Sequence, residues 1–178
     1  MGRPAEATKV VGLTGTYLYE VLKKRLKVEL FDDVYSADKV PLGRLSGANN
    51  EQSRVCIVNT STSLQPGSHF VALLIQADDI LVLDSLALAL SKVSPVLEKR
   101  LLKSKKKISY AFETPLQSLT SGFCGIYCMY FCLHICRLQF PEGRRLLIPF
   151  DARNGFTTDK NDKIVMRNFL LLINKNAQ

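Results

Sequence analysis

The sequence predicts a single α+β domain in which a central helix carrying a cysteine packs on a small, mainly antiparallel sheet with flanking helices. Three observations predict it. Residues Cys124–Leu138 are apolar on nearly every face, as a helix surrounded by protein must be. Three short runs rich in β-branched and aliphatic residues, Arg54–Thr60, Phe70–Gln76 and Ile80–Asp84, follow one another across polar turns, the pattern of neighbouring antiparallel strands. Helical periodicity brackets these runs on both sides.

In chain order, residues 1–10 carry no periodic pattern and are read as flexible. From Thr14, apolar residues Tyr17, Leu18, Val21, Leu22 and Leu26 recur at helical spacing, giving an amphipathic helix to about Leu30 whose polar face carries Lys23, Lys24, Arg25 and Lys27. Phe31–Gln52 is mixed, with Asp32-Asp33 and Pro41-Leu42-Gly43 as turn signals. The three strands follow. Leu86–Leu102 reads as a helix, or two short ones broken near Pro95. A basic run, Lys103, Lys105, Lys106 and Lys107, precedes a strand over Ile108–Phe112. After the central helix come a turn at 141–145, an extended segment at 146–150 and a closing helix over Asp162–Asn174. There is no repeat and no internal boundary, and 178 residues suffice for one core without staples.

Hydrophobic residues at 47% and charged ones at 22% describe a globular chain. The apolar runs stop well short of the ~20 residues that a membrane span needs. The first residues fit neither a myristoylation site nor a secretory signal, so an intracellular protein is expected. Five cysteines, an odd number with four between 124 and 136, do not make a disulfide framework, and a reducing compartment fits them better. Cys128, Cys132 and Cys136 follow Cys124 at four-residue steps that drift by ~40° each round a helix, and they read as core residues rather than metal ligands. No metal is expected. The net charge of +8 reads as a solvated surface or as a footprint for a polyanion.

The chemistry gathers at Gln117-Ser118-Leu119-Thr120-Ser121-Gly122-Phe123-Cys124-Gly125. A turn-prone loop delivers Cys124 to a helix N-terminus, whose roughly +0.5 of an elementary charge eases ionisation of a thiol. Gly125 leaves room for backbone or a substrate to come close. A thiolate nucleophile needs a base, and the chain has two histidines. His69 stands at the start of one strand, and Asp84 ends the next, fifteen residues on. Side by side, the carboxylate would orient the imidazole and support its charged form. Gln117 would bring an amide donor to the oxyanion of a tetrahedral intermediate. Asn59 is a further polar candidate near the site, or simply a strand-end amide.

The order His69, Asp84, Gln117, Cys124, with Gln-x6-Cys-Gly, resembles the adenain-like (adenovirus protease type) cysteine proteases and the related SUMO-deconjugating proteases. The likeness covers roughly residues 54–136, including Cys56-Ile57-Val58-Asn59-Thr60 before the histidine and Gly125-Ile126-Tyr127-Cys128 after the cysteine. It implies a papain-like/adenain-like fold with catalytic His69, Asp84, Gln117 and Cys124, and with Phe70, Gly122 and Phe123 against the substrate. Two departures stand out. The orienting acid is an aspartate, as in the SUMO-protease branch, and Phe70 takes the place of the usual tryptophan. A disulfide-linked peptide activator is not expected, because the corresponding neighbourhood, Lys105-Lys106-Lys107-Ile108, has no cysteine.

The resemblance implies a viral cysteine endopeptidase, monomeric, that cleaves precursor structural proteins beside small residues (Gly-Gly or Gly-x) during virion maturation, in the host nucleus and the virion. No obligatory cofactor follows from the sequence. Duplex DNA is implied as an activator and track, on Lys23, Lys24, Arg25, Lys27, Lys103, Lys105, Lys106 and Lys107. The alternatives are a SUMO- or ubiquitin-like deconjugating protease and a catalytically inactive DNA- or protein-binding module on the same fold.

Overall fold

The structure, a computed structural model, describes residues 13–41, 53–137 and 157–175. In order, its elements are α1 (Gly15–Tyr19) running into a π-helical turn (Glu20–Arg25), β1 (Phe31–Ser36), β2 (Arg54–Asn59), β3 (Phe70–Ile75), β4 (Asp79–Leu83), α2 (Leu90–Val93), α3 (Pro95–Leu102), β5 (Lys107–Tyr110), α4 (Cys124–Arg137) and α5 (Thr158–Lys175). The class is α+β. The five strands lie in sequence order across one sheet.

The sheet is mixed, which corrects the mainly antiparallel expectation. The β2–β3 and β3–β4 pairs are antiparallel, whereas the edge pairs β1–β2 and β4–β5 are parallel. A parallel neighbour needs a long crossover. Between β4 and β5 that crossover carries α2 and α3. At the other edge, Phe31-Asp32-Asp33-Val34-Tyr35-Ser36 forms β1 rather than a turn. Its two aspartates are only half-buried, and pairing with β2 overrides their local preference.

The run Phe70–Ile75 is buried along its whole length because both faces of the sheet are covered. Phe70, Ala72 and Leu74 pack with Ile126, Tyr127 and Phe131 of α4, while Val71, Leu73 and Ile75 pack with Leu90, Leu97 and Leu101 of α2 and α3. Burying each such leucine or phenylalanine contributes about 1.5–3 kcal/mol. Helix α4 lies against β2, β3 and α5.

The first helix stops earlier than its periodicity predicts. Thr14 caps it, accepting from Tyr17 N at 3.2 Å. Lys27, at φ 48°, then turns the chain so that Val28 N reaches back to Leu22 O at 3.0 Å. No glycine marks that left-handed stop in the sequence. The break near Pro95 is observed: Ser94 ends α2 and caps α3, accepting from Leu97 N at 3.4 Å and donating to Thr60 O at 2.5 Å. The strand expected over Ile108–Phe112 runs from Lys107 to Tyr110, and the last helix starts at Thr158 instead of Asp162. The flexible residues 1–10, the turn at 141–145 and the extended segment at 146–150 lie outside the described residues. No described helix is long and apolar enough to cross a membrane.

Candidate active site

His69 immediately precedes β3, and Asp84 immediately follows β4. Ala72 pairs with Leu83 across these strands, so one more step of that register would set Val71 opposite Asp84. His69 is then two residues away on the same side of the pleat, within reach of the carboxylate. The observed bond is His69 Nε2 to Asp84 Oδ1 at 2.7 Å, with the two side chains 11% and 2% exposed. The turn after β4 closes on the same carboxylate: Leu86 N donates to Oδ1 at 2.9 Å and Leu88 N to Oδ2 at 3.2 Å. Ala87 adopts φ 52° within that turn, a conformation that side chains ordinarily avoid. Nε2 is held by Asp84, and the imidazole lies close enough to Cys124 for each group to shift the other's ionisation.

Cys124 is the first residue of α4 and half-buried. Burial pushes its thiol up, but the His69 hydrogen bond and charge, with the backbone N–H groups of Phe70 and Gly125, outweigh it and hold the pKa below its usual 9.0. Burial pulls the His69 imidazole down. The hydrogen bonds and charges of Asp84 and Cys124 outweigh that, and its pKa rises from 6.5 to about 9. Each group therefore favours the ionised form of the other. The other thiols behave oppositely. Burial pushes Cys128 and Cys132 well above 9.0 and also raises Cys136, while Cys56 is buried and raised too.

Gln117 lies on the loop that leads to the cysteine and is itself buried. Its Oε1 accepts from Ser85 Oγ at 2.7 Å and its Nε2 donates to Ser121 O at 2.6 Å. Ser85, next to Asp84, also accepts from Leu116 N and Gln117 N through its carbonyl. The loop is thus pinned to the turn that holds the carboxylate.

The substrate-side candidates separate. Gly122 is exposed, and Phe123 lines a pocket of about 690 Å³ between the 118–123 loop and the α5 face bearing Lys163, Met166 and Leu170. Phe70 is only 8% exposed and packs in the core, its edge reaching a second pocket of about 350 Å³ beside β1. Asn59 accepts from Ser61 N at 3.0 Å, a strand-end role. Gly125 faces Leu18 of α1 and Leu13 just before that helix, so protein fills the space it leaves.

Of the basic residues, Lys23 Nζ donates to Phe31 O at 2.8 Å, Lys24 pairs with Glu20 at 2.6 Å, and Lys106 Nζ binds Gln76 O and Ala77 O. Arg25, Lys27, Lys103, Lys105 and Lys107 are exposed. Among the described residues no three of His, Cys, Asp and Glu are grouped as metal ligands. The ring of His134 stacks on Tyr130 with centroids 4.0 Å apart.

Sequence reasoning missed the residues that grip the Gln117 segment from behind. Tyr127, Asn161 and Asp162 meet Leu116 and Ser118 there. Their only sequence signal is polarity on otherwise core-forming helices, which does not say what they touch.

No family model matches the sequence, and no curated protein sequence does. Twelve chains of known structure match it. One of them, described as AvrA delL154 with IP6, CoA, is 18% identical with a TM-score of 0.46, over 70% of this chain and 47% of that one. This chain therefore spans less than half the length of that structure, and a likeness of this degree carries no activity and no residue role across.

Proposed function

We propose that the chain is a cysteine endopeptidase that cuts peptide bonds through a thioester on Cys124. The observation that carries this reading is the relay Asp84–His69–Cys124, with its 2.7 Å first link and opposed shifts of imidazole and thiol. The thiolate attacks the scissile carbonyl carbon. His69 gives its proton to the amine as the C–N bond breaks. The neutral imidazole then takes a proton from water, whose oxygen attacks the thioester carbon and releases the thiolate. Asp84 keeps the ring aligned throughout. An amide nitrogen has two hydrogens, and Gln117 gives one to Ser121 O, leaving the other for the oxyanion beside the N–H of Cys124.

The substrate chain is assigned to the pocket that begins at Phe123, the residue before the nucleophile, although Cys124, His69 and Asp84 do not themselves line it. By the resemblance stated above, the substrates are viral precursor structural proteins cut beside Gly-Gly or Gly-x in the host nucleus and virion. Duplex DNA as an activator rests on the exposed residues Arg25, Lys27, Lys103, Lys105 and Lys107, since the ammonium groups of Lys23, Lys24 and Lys106 already serve the fold. The aspartate at the orienting position favours a second reading, a deconjugating protease of the SUMO type.

The test is hydrolysis of fluorogenic Leu-x-Gly-Gly and Leu-x-Gly-Ala peptides and of a SUMO or ubiquitin conjugate, with and without duplex DNA, by wild type and Cys124→Ala. Cys124-dependent peptide cleavage that rises with DNA is the expected result. Cleavage of the conjugate alone selects the second reading. Equal inactivity of both proteins on every substrate overturns both.

A further inference from the structure

We propose that Tyr127, Asn161 and Asp162 are positioning residues that fix the peptide carrying Gln117, and through it the oxyanion donor; this rests on the hydrolytic reading above. The two peptide groups on either side of Gln117 are both held. On one side Leu116 O accepts from Tyr127 Oη at 3.1 Å and from Asn161 Nδ2 at 3.0 Å. On the other, Ser118 N donates to Asp162 Oδ2 at 3.4 Å. Tyr127 Oη also donates to Asp162 Oδ1 at 2.9 Å, its one hydrogen shared between carbonyl and carboxylate. The three side chains are 0%, 2% and 6% exposed, and such buried polar groups hold geometry firmly only when their bonds are made.

The placement of this cluster suits that task. Tyr127 is one turn along the helix that Cys124 begins, and Asn161 and Asp162 come from α5. The cluster therefore references the Gln117 peptide to the nucleophile's own helix, while Ser85 references it to the turn of Asp84. A peptide clamped at both ends leaves the amide plane of Gln117 little freedom, and an oxyanion donor works by being in place before the charge develops. Holding α5 onto the domain would need none of these bonds to converge on residues 116 and 118. The Oδ1 atom of Asn161 is buried without a hydrogen-bond partner among the described residues. The Nδ2 bond of Asn161 to Leu116 O is kept although it leaves that amide oxygen unsatisfied, which is unfavourable for a buried group.

Iodoacetamide separates positioning from stability. Alkylation is displacement at a saturated carbon and forms no carbonyl oxyanion, so it needs the thiolate–imidazolium pair and not Gln117. On the full chain, Asp162→Asn, Tyr127→Phe, Gln117→Ala and the doubles with Gln117→Ala would be compared for peptide kcat and KM, Cys124 alkylation rate and thermal midpoint. Asp162→Asn and Tyr127→Phe are expected to lower kcat by about tenfold or more, toward the ~10²–10³-fold loss of an absent oxyanion donor. KM and the alkylation rate would stay within about twofold, and neither change would cost more kcat once Gln117 is gone. The proposal falls if alkylation drops in step with kcat, if the losses multiply in the doubles, or if kcat holds while only the midpoint falls. A wild type no more active than Cys124→Ala removes the hydrolytic reading itself and this inference with it.

Discussion

Imidazole and thiol move each other's ionisation in opposite directions at this site, which fixes the sign of its pH dependence. His69 rises from 6.5 to about 9, so the stability its charge contributes is full below about pH 6.5 and is lost as pH climbs through about 9. Cys124 is depressed, so its contribution is present above the ordinary 9.0 and is lost as pH falls through its lowered value. The ion pair exists only between these limits. The expected kcat/KM profile is therefore a bell whose basic limb bends near pH 9, not near 6.5. A limb at 6.5 in a pH–rate series would mean that the carboxylate does not support the ring. His69, Asp84 and Cys124 were legible because each chemistry-bearing type is scarce or stands at a strand or helix end. Asp162 was read only as the first residue of a helix, because its partners lie 35 and 44 residues away and no local pattern encodes them.

The elements show where local patterns suffice and where packing decides. The apolar run of α4 predicted a helix, and every described residue from Cys124 to Arg137 is helical, since nothing but a buried helix accommodates it. The mixed sheet was half-legible: strand, helix, strand from Ile80 to Phe112 is the order that makes a parallel pair, whereas the β1 edge hid behind two aspartates. Ser94 joins two elements, capping α3 and bonding the chain end of β2 at Thr60. Ser94→Ala is expected to destabilise by about 1–2 kcal/mol in urea melts, with kcat unchanged. Gly125 meets Leu13 and Leu18 at 3.4 Å from the position of a Cβ, an ordinary contact. Gly125→Ala should fold at least as stably, gaining up to about 1 kcal/mol of helix propensity. Gly125→Val should lose about 1–3 kcal/mol by overpacking α1. Equal melting of both variants would show that the first helix does not sit on α4.

Across the whole molecule the site is assembled from parts of unequal firmness. β3 has a strand hydrogen-bonded on each side and apolar packing on each face, so its amides open only with the global fold. The base is anchored to that strand. The loop that brings Gln117 and Cys124 has no such ladder: two backbone bonds to Ser85 O tie its start, and side-chain bonds at Ser85, Ser121, Tyr127, Asn161 and Asp162 hold the rest. Local opening of residues 116–123 then has its own, smaller free energy. On heating, turnover is expected to disappear several degrees before far-UV dichroism changes, and to return on cooling from that interval. Amide exchange should follow the same division, faster across 118–123 and slowest in β3. The enzyme would thus be switched off by warmth while still folded, its temperature ceiling set by a loop of eight residues and not by its core.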